Sequence, residues 1–323
     1  MLIFPTYQTM LAKAAATSSG GGSSIVDTDL YIHYDFSDTD CWNRNNSANA
    51  ADYTVNNLAN DYNDAVFRSR TGASDAYRDA SDSPVLNFES SDGGGCLDVN
   101  PNNNEADEDD CALLIPGSLT NTSNSGYFLY NASTVSSTDS NNLFKDVGTG
   151  AFTVELWERY YCTNNDEWRS RTNLQFNSAV TDIGSTRWPF RWQVYGDTTT
   201  NNIYYHKFFN SNHPSPYTTH DIPGAPSSGA AWSDWCHIVY SRASDATNDS
   251  KLYLNNSLVE TDTFDLTVSY MQSGEIFNID RGINDTITRM RFRMGVFRFY
   301  RGKALTSSEV TTNWNAQKSR FGH

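Results

Sequence analysis

The sequence predicts an all-β protein. The expected architecture is a two-sheet antiparallel β-sandwich of jelly-roll type, with a short C-terminal helix and an N-terminal arm. Three observations carry this. Aromatic residues make up 13% of the 323 residues, with 18 Tyr, 17 Phe and 8 Trp, a bias toward the pleated, half-buried surface of strands. Segments of alternating polarity recur along the chain between stretches crowded with Ser, Thr, Asn, Asp and Gly. The last third carries a tight-turn hairpin and a strand that runs into a capped helix.

Residues 1–24 read as a separate arm and tether. Thr6 is placed to cap a short helix over Tyr7–Ala16, and TSSGGGSS (Thr17–Ser24) has the composition of a flexible linker. Leu2, Ile3, Phe4, Tyr7, Met10 and Leu11 are too few to form a core. Their burial elsewhere would return roughly 1.5–3 kcal/mol each, so the arm is expected to dock on a partner or a sister subunit. Residues 25–323 are expected to form the sandwich.

LYIHYDF opens it, with Leu30, Ile32, Tyr34 and Phe36 in one phase and Tyr31, His33 and Asp35 in the other. Val55–Phe67 reads as a polar turn between apolar ends. Pro84–Glu89 is a short strand, and Ser90–Gly95 a turn. Ala112–Leu119 and Gly126–Asn131 are further strand candidates. Gly150–Tyr161 has the strongest strand pattern, with Phe152, Val154 and Leu156 facing opposite to Thr153, Glu155 and Trp157. Trp188–Tyr195 and Ile203–Phe209 are separated by a hairpin-like spacing. Asn210–Ala231, rich in Pro, Ser, Gly and His, reads as a long loop.

Trp232–Arg242 is the next strand. In KLYLNNSLVE an Asn255-Asn256 turn pairs Leu254 with Ser257, Tyr253 with Leu258 and Leu252 with Val259. Met290, Phe292, Met294 and Val296 share one phase, and Arg289, Arg291 and Arg293 the other. Beyond Gly295 the apolar phase moves to Phe297 and Phe299, which predicts a β-bulge at the glycine. Thr306 and Glu309 form a capping box for a helix with Val310 and Trp314 on one side.

The formal net charge of −15 argues against nucleic-acid binding through a basic field. No apolar run is long enough for a transmembrane helix. The N-terminal MLIFPTYQTMLAK lacks a positive n-region and is interrupted by Pro5, Gln8 and Lys13, so a secretory signal is not expected. Cysteines stand at 41, 96, 111, 162 and 236. An odd number cannot all pair. Cys96 and Cys111 flank an acidic loop and either bridge or remain buried thiols, the latter favoured for assembly in a reducing cytoplasm.

FTVELW (Phe152–Trp157), WCHIVYSR (Trp235–Arg242), KLYLNNSLV (Lys251–Val259) and MGVFRFYRGKALTSSEV (Met294–Val310) together resemble the concanavalin A-like lectin/glucanase superfamily, in its laminin-G-like branch. Lys303 stands where the pattern usually has arginine. LYIHYDF and Val55–Phe67 also resemble the opening of such domains in bacteriophage and marine microbial proteins. The resemblance spans about residues 28–320 and speaks for fold more than function. It implies a multi-copy or homo-oligomeric structural and adhesive protein on a bacteriophage virion surface, in contact with capsid or tail proteins through its arm, with a candidate glycan ligand. A secreted or surface carbohydrate-binding bacterial adhesin is the alternative.

The glucanases of this superfamily carry E-x-D-x-x-E on one strand. Here Glu155 and Glu158 fall on opposite faces, Trp157 occupies the middle position and Tyr160 the third, so no enzyme is expected. No cofactor is required. Calcium is a candidate ion for the acidic Asp98–Asp110 loop, with Asp98, Asn100, Asp107 and Asp109 as candidate ligands, because a hard cation needs several oxygens. His206, His213 and His220 recur every seven residues but without a helix to align them, so zinc is not expected. His237 reads as a packed strand residue. Trp188, Arg191, Tyr195 and Tyr205 are candidate sugar contacts, while Trp192 shares the phase of Phe190 and Val194 and reads as core. Arg289, Arg291, Arg293, Arg298 and Arg301 form a local basic stripe, read as a solvated face with acidic partners in the same chain.

Overall fold

The computed structural model describes residues 24–42, 54–59, 64–71, 77–78, 86–99, 109–115, 150–162, 169–177, 190–196, 202–206, 217–226, 231–244, 246, 249–261, 273–279 and 291–323. Among these lie β1 (Leu30–Asp35), β2 (Thr54–Val55), β3 (Ala65–Thr71), β4 (Tyr77–Arg78), β5 (Leu86–Glu89), β6 (Cys96–Val99) and β7 (Asp109–Ile115). β8 (Phe152–Cys162), β9 (Arg169–Asn177), β10 (Phe190–Gly196), β11 (Asn202–His206), β12 (Tyr217–Asp221) and β13 (Ala231–Trp232) follow. The last strands are β14 (Cys236–Arg242), β15 (Ser250–Leu254), β16 (Ser257–Thr261), β17 (Ser273–Ile279) and β18 (Phe292–Arg301), before helix α1 (Ser307–Gln317). The predicted arm residues and the Gly126–Asn131 strand candidate lie outside the described residues.

Every strand pairing is antiparallel. A larger, nine-stranded sheet runs β16-β15-β14-β8-β18-β6-β5, with β1 also on β18 and β13 on β8. A seven-stranded sheet runs β10-β9-β17-β7-β3-β2, with β4 on β3, and β11-β12 form a separate pair. The chain is thus the two-sheet antiparallel sandwich expected, of concanavalin A-like type, closed by one short C-terminal helix. No described helix is long and apolar enough to cross a membrane.

The core between the sheets is built from the alternation read in the sequence. Phe152, Val154, Leu156 and Tyr160 of β8 join Phe292, Met294, Phe297 and Phe299 of β18. Ile238 and Tyr240 of β14 pack with them, as do Val55 and Ala65 from the smaller sheet. Each such side chain contributes roughly 1.5–3 kcal/mol of burial. Gly295 is the predicted bulge: Met294 faces Glu158, Val296 faces Trp157, and the register shifts between them. A Cβ on Gly295 would come within 2.6 Å of Phe321 Cε1, so the glycine also admits the C-terminal segment against the sheet.

Several readings are corrected. β10 and β11 lie beside each other, as the hairpin-like spacing suggests, but the ladders described run from β10 to β9 and from β11 to β12, and β12 occupies part of the segment read as a long loop. Leu252 faces Glu260, because a register shift follows the Asn255-Asn256 turn. Both asparagines do adopt positive φ, 47° and 65°, as a type I′ turn requires. A shift at the start of β1 sends Leu30 to the outer side, among Val239 and Tyr300, and Tyr31 to the inner core. Cys41, Cys96 and Cys236 are free and buried, in line with the favoured reading of buried thiols.

Candidate functional site

The outer face of the larger sheet divides into a covered half and an open half. Capping fixes the cover. Thr306 accepts the Glu309 backbone N–H, and Glu309 accepts the Thr306 N–H, so α1 starts immediately after β18. Val310 of α1 then packs on Val239, Tyr253, Tyr300 and Leu305. Trp314 and Phe321 stack on Trp157, at 5.3 and 4.2 Å between ring centroids. Thr311 Oγ1 bonds Asn256 Oδ1 at 2.9 Å, which ties the helix to the hairpin turn.

Beneath this cover lies Glu155, fully buried. Its Oε1 is 2.8 Å from His237 Nε2 and accepts from Arg298 Nη1 at 2.9 Å. Its Oε2 accepts from Asn313 Nδ2 at 2.7 Å and lies 3.4 Å from the Tyr300 hydroxyl oxygen. Burial raises the Glu155 carboxyl, but the Arg298 charge and the His237 bond outweigh it and bring it down to about 2. Burial and the Arg298 charge hold His33, opposite Arg298 on β1, down at about 3. His237 is packed, as expected, against Trp157 at 4.7 Å. Arg298 is a correction to the solvated stripe: the bulge keeps it on the outer face with Arg293, but α1 covers it there and it is fully buried.

The same node holds Val26, near the start of the described residues. Asn313 Oδ1 accepts the Val26 N–H at 2.7 Å, and Tyr300 donates to the Val26 carbonyl at 3.0 Å.

The open half lies toward the other end of β8 and β18. β13 places Trp232 opposite Tyr161, with the rings edge-on at 5.4 Å. Three guanidinium groups surround the indole: Arg293 at 4.4 Å, Arg159 at 4.8 Å and Arg291 at 4.9 Å. Cation–π attraction and two shared carboxylates hold them there. Asp98 accepts from Arg291 Nε at 3.0 Å and Nη2 at 2.5 Å, and from Arg293 Nε and Nη2 at 3.1 and 3.0 Å. Asp92 accepts from Arg293 Nη1 at 2.5 Å and from Trp235 Nε1 at 3.0 Å. Arg159 Nε stands 3.0 Å from Asp92 in an ion pair without hydrogen-bond geometry. The side chains of Arg159 and Arg291 stay 19% and 20% exposed, whereas those around Glu155 are sealed.

The predicted site residues scatter over this frame. Asp98 lies on β6, its carboxylate taken by Arg291 and Arg293; Asp109 starts β7 in the other sheet; Asn100 and Asp107 lie outside the described residues. No group able to hold a metal ion occurs among the described residues. Arg191 and Tyr195 lie on β10, Tyr205 on β11 in the separate pair, and Trp188 lies outside the described residues. The anchor residues Leu2, Ile3, Phe4, Tyr7, Met10 and Leu11 also lie outside them. Sequence reading picked out Arg291 and Arg293 but missed Arg159, Trp232 and Asp92. The usable signal was arginine at alternate positions beside a tryptophan-rich strand start; the pairing of β13 with the end of β8 supplies the rest.

No protein-family model matches the chain, and no curated protein matches it. Solved structures do, at low identity. A structure of botulinum neurotoxin type C, reported with the dependence of its cell entry on interaction with two ganglioside molecules, is similar at 10% identity and a TM-score of 0.50. That similarity covers 90% of this chain and 52% of the toxin chain. Trypanosoma rangeli sialidase in complex with sialic acid is similar at 12% identity and a TM-score of 0.50, over 94% of this chain and 35% of the sialidase. The chain therefore spans about half of one neighbour and a third of the other, and what it shares with them is the concanavalin A-like sandwich fold.

Proposed function

We propose that this chain is a non-enzymatic glycan-binding protein displayed on the surface of a bacteriophage particle, held to capsid or tail proteins by its N-terminal arm. One observation supports the reading: Val26, just after the segment read as an arm, and the open arginine–tryptophan cluster sit at opposite ends of the same face. Val26 is fixed at Tyr300, and the cluster centres on Arg293, seven residues along β18, or about 23 Å at strand rise. A protein tethered at one end presents the other outward. The ganglioside and sialic acid named for the two structural neighbours agree with this reading, though a shared fold does not by itself fix a ligand. Arg191, Tyr195 and Tyr205 remain a second candidate surface for the glycan.

A hydrolytic role is disfavoured by geometry. Glycosidases flank the scissile bond with two carboxyl groups about 5–9.5 Å apart. Glu155 is sealed under α1, and Glu158 points to the opposite face, where Tyr160 donates to it at 2.8 Å. Calcium at the Asp98–Asp110 loop stays a proposal.

A glycan array with and without EDTA tests binding and ion dependence together. Binding in at least one condition is expected; silence in both would leave no glycan-binding role. Removal of residues 1–24 is expected to abolish incorporation into particles while the sandwich stays folded, and normal incorporation would refute the anchor.

A further inference from the structure

We infer that the Arg159–Trp232–Arg291 end of the outer face takes the carboxylate of an acidic sugar. The inference rests on the glycan-binding reading and names the ligand class of that site.

Charge counting comes first. Three guanidinium groups meet only two inner carboxylates, Asp92 and Asp98, both already shared. The third acid, Glu89, stands at the rim, 3.6 Å from Arg293, with its Oε1 taken by the Ser91 backbone and hydroxyl. With Glu89 counted, three carboxylates balance three guanidinium groups, so the cluster is a neutral, partly exposed arginine site in a protein whose formal net charge is −15.

Donor geometry comes second. Arg293 uses Nε and both terminal nitrogens on Asp92 and Asp98. Arg159 and Arg291 do not. Among the described residues the two terminal nitrogens of Arg159 and Nη1 of Arg291 donate to nothing. Arg159 is nonetheless held in place, by the Asp92 charge and by the indoles of Trp232 and Trp235 at 4.8 and 5.7 Å. A guanidinium with a fixed plane and an open terminal edge matches the two oxygens of a carboxylate in a parallel fork.

Size and selectivity come third. The partners are only about one-fifth exposed, which suits one small planar group rather than a chain of phosphates. The acidic protein as a whole repels nucleic acid, while a single sugar acid feels mainly the nearby guanidinium groups.

The test uses the full chain and matched probes on one array: a uronic-acid tetrasaccharide, its methyl ester, the corresponding neutral hexose oligomer, and a sulfated oligomer. The acid is expected to bind and the ester to bind at least about tenfold more weakly, since esterification removes the charge-assisted pair but leaves the sugar. Arg159→Gln is expected to lose a similar factor, and Arg159→Lys less, because a point charge remains without the fork. The ester comparison needs no variant, so a folding defect cannot imitate the result. Equal binding of acid and ester, or binding of the sulfated oligomer alone, would overturn the carboxylate assignment and leave glycan binding standing. No binding to any glycan on the array would overturn the glycan-binding reading and this inference with it.

Discussion

On the covered half of the outer face, Glu155 holds Arg298, His237 and Asn313 with Trp157 alongside, and Glu155, Arg298, His237 and Asn313 are all sealed from water. On the open half, Asp92 and Asp98 hold Arg159, Arg291 and Arg293 around Trp232, and all three arginines keep some exposure. Both halves combine carboxylate, guanidinium and indole around β8 and β18, with Asp92, Asp98 and Trp232 of the open half brought in by the β5–β6 turn, β6 and β13. They differ in cover. Under α1 one carboxylate is saturated from four sides, so breaking it leaves a buried charge without compensation. On the open half the spare nitrogens of Arg159 and Arg291 belong to partly exposed side chains, whereas Nε and Nη2 of Arg298, also without a partner, are buried. The pair shows that residue type does not separate a structural node from a binding surface; burial does.

The largest expected effect lies in the covered half. Glu155→Ala strands Arg298 and should cost about 3–5 kcal/mol of stability in urea denaturation. A loss below about 1 kcal/mol would make the node incidental. Glycan affinity of the fraction that remains folded should not change.

Acid should act on the same half. The Glu155 carboxyl lies near 2 when folded, below its ordinary 4.5, so its contribution is full above pH 4.5 and is lost as pH falls toward 2. The His33 ring lies near 3, below its ordinary 6.5, so it binds protons more readily unfolded and stability falls from pH 6.5 toward 3. The groups facing it are Arg298, Asp35, Glu155 and Arg320. The effects are on the order of 3 kcal/mol for Glu155 and 5 kcal/mol for His33. Chemical denaturation across pH should show decline beginning below pH 6.5, and His33→Phe should remove that upper phase. A flat profile to pH 4 would contradict the assignment.

A smaller effect belongs to the seam between the halves. Gly295→Ala drives a Cβ into Phe321, at about 1–3 kcal/mol, and Phe321→Ala should relieve part of it in a double-mutant cycle. Strict additivity would mean that the tail does not press on the bulge. The smallest stability change is expected in the open half. Arg159→Gln removes a partly exposed ion pair, worth no more than about 1 kcal/mol in thermal or urea unfolding. A loss as large as that of Glu155→Ala would erase the distinction between the halves.

Much of the fold could be read along the chain because its signals are local. The phase change at Gly295, the Asn255-Asn256 turn and the Thr306–Glu309 box each depend on a few neighbouring residues. Strand partners were less accessible. Alternation assigns a face and leaves the neighbour open: the spacing brings β10 and β11 together, but it does not foretell the ladders to β9 and β12. The site was harder still. Glu155 and Arg298 share a row only through the register of β8 with β18, and their burial depends on α1 covering that row. Asp98 looked like a loop carboxylate available to calcium, but β6 runs through it and brings it beside Arg293. Trp232 stands 60 or so positions from Arg291 and reaches it only through the short β13 pairing.

Hydrogen–deuterium exchange with and without the carboxylated oligosaccharide tests the division most directly. The sugar should protect peptides covering residues 159–162, 231–234 and 291–293 and leave those around residues 155 and 313 unchanged. Protection confined to residues 190–206, or none in the open half, would contradict it.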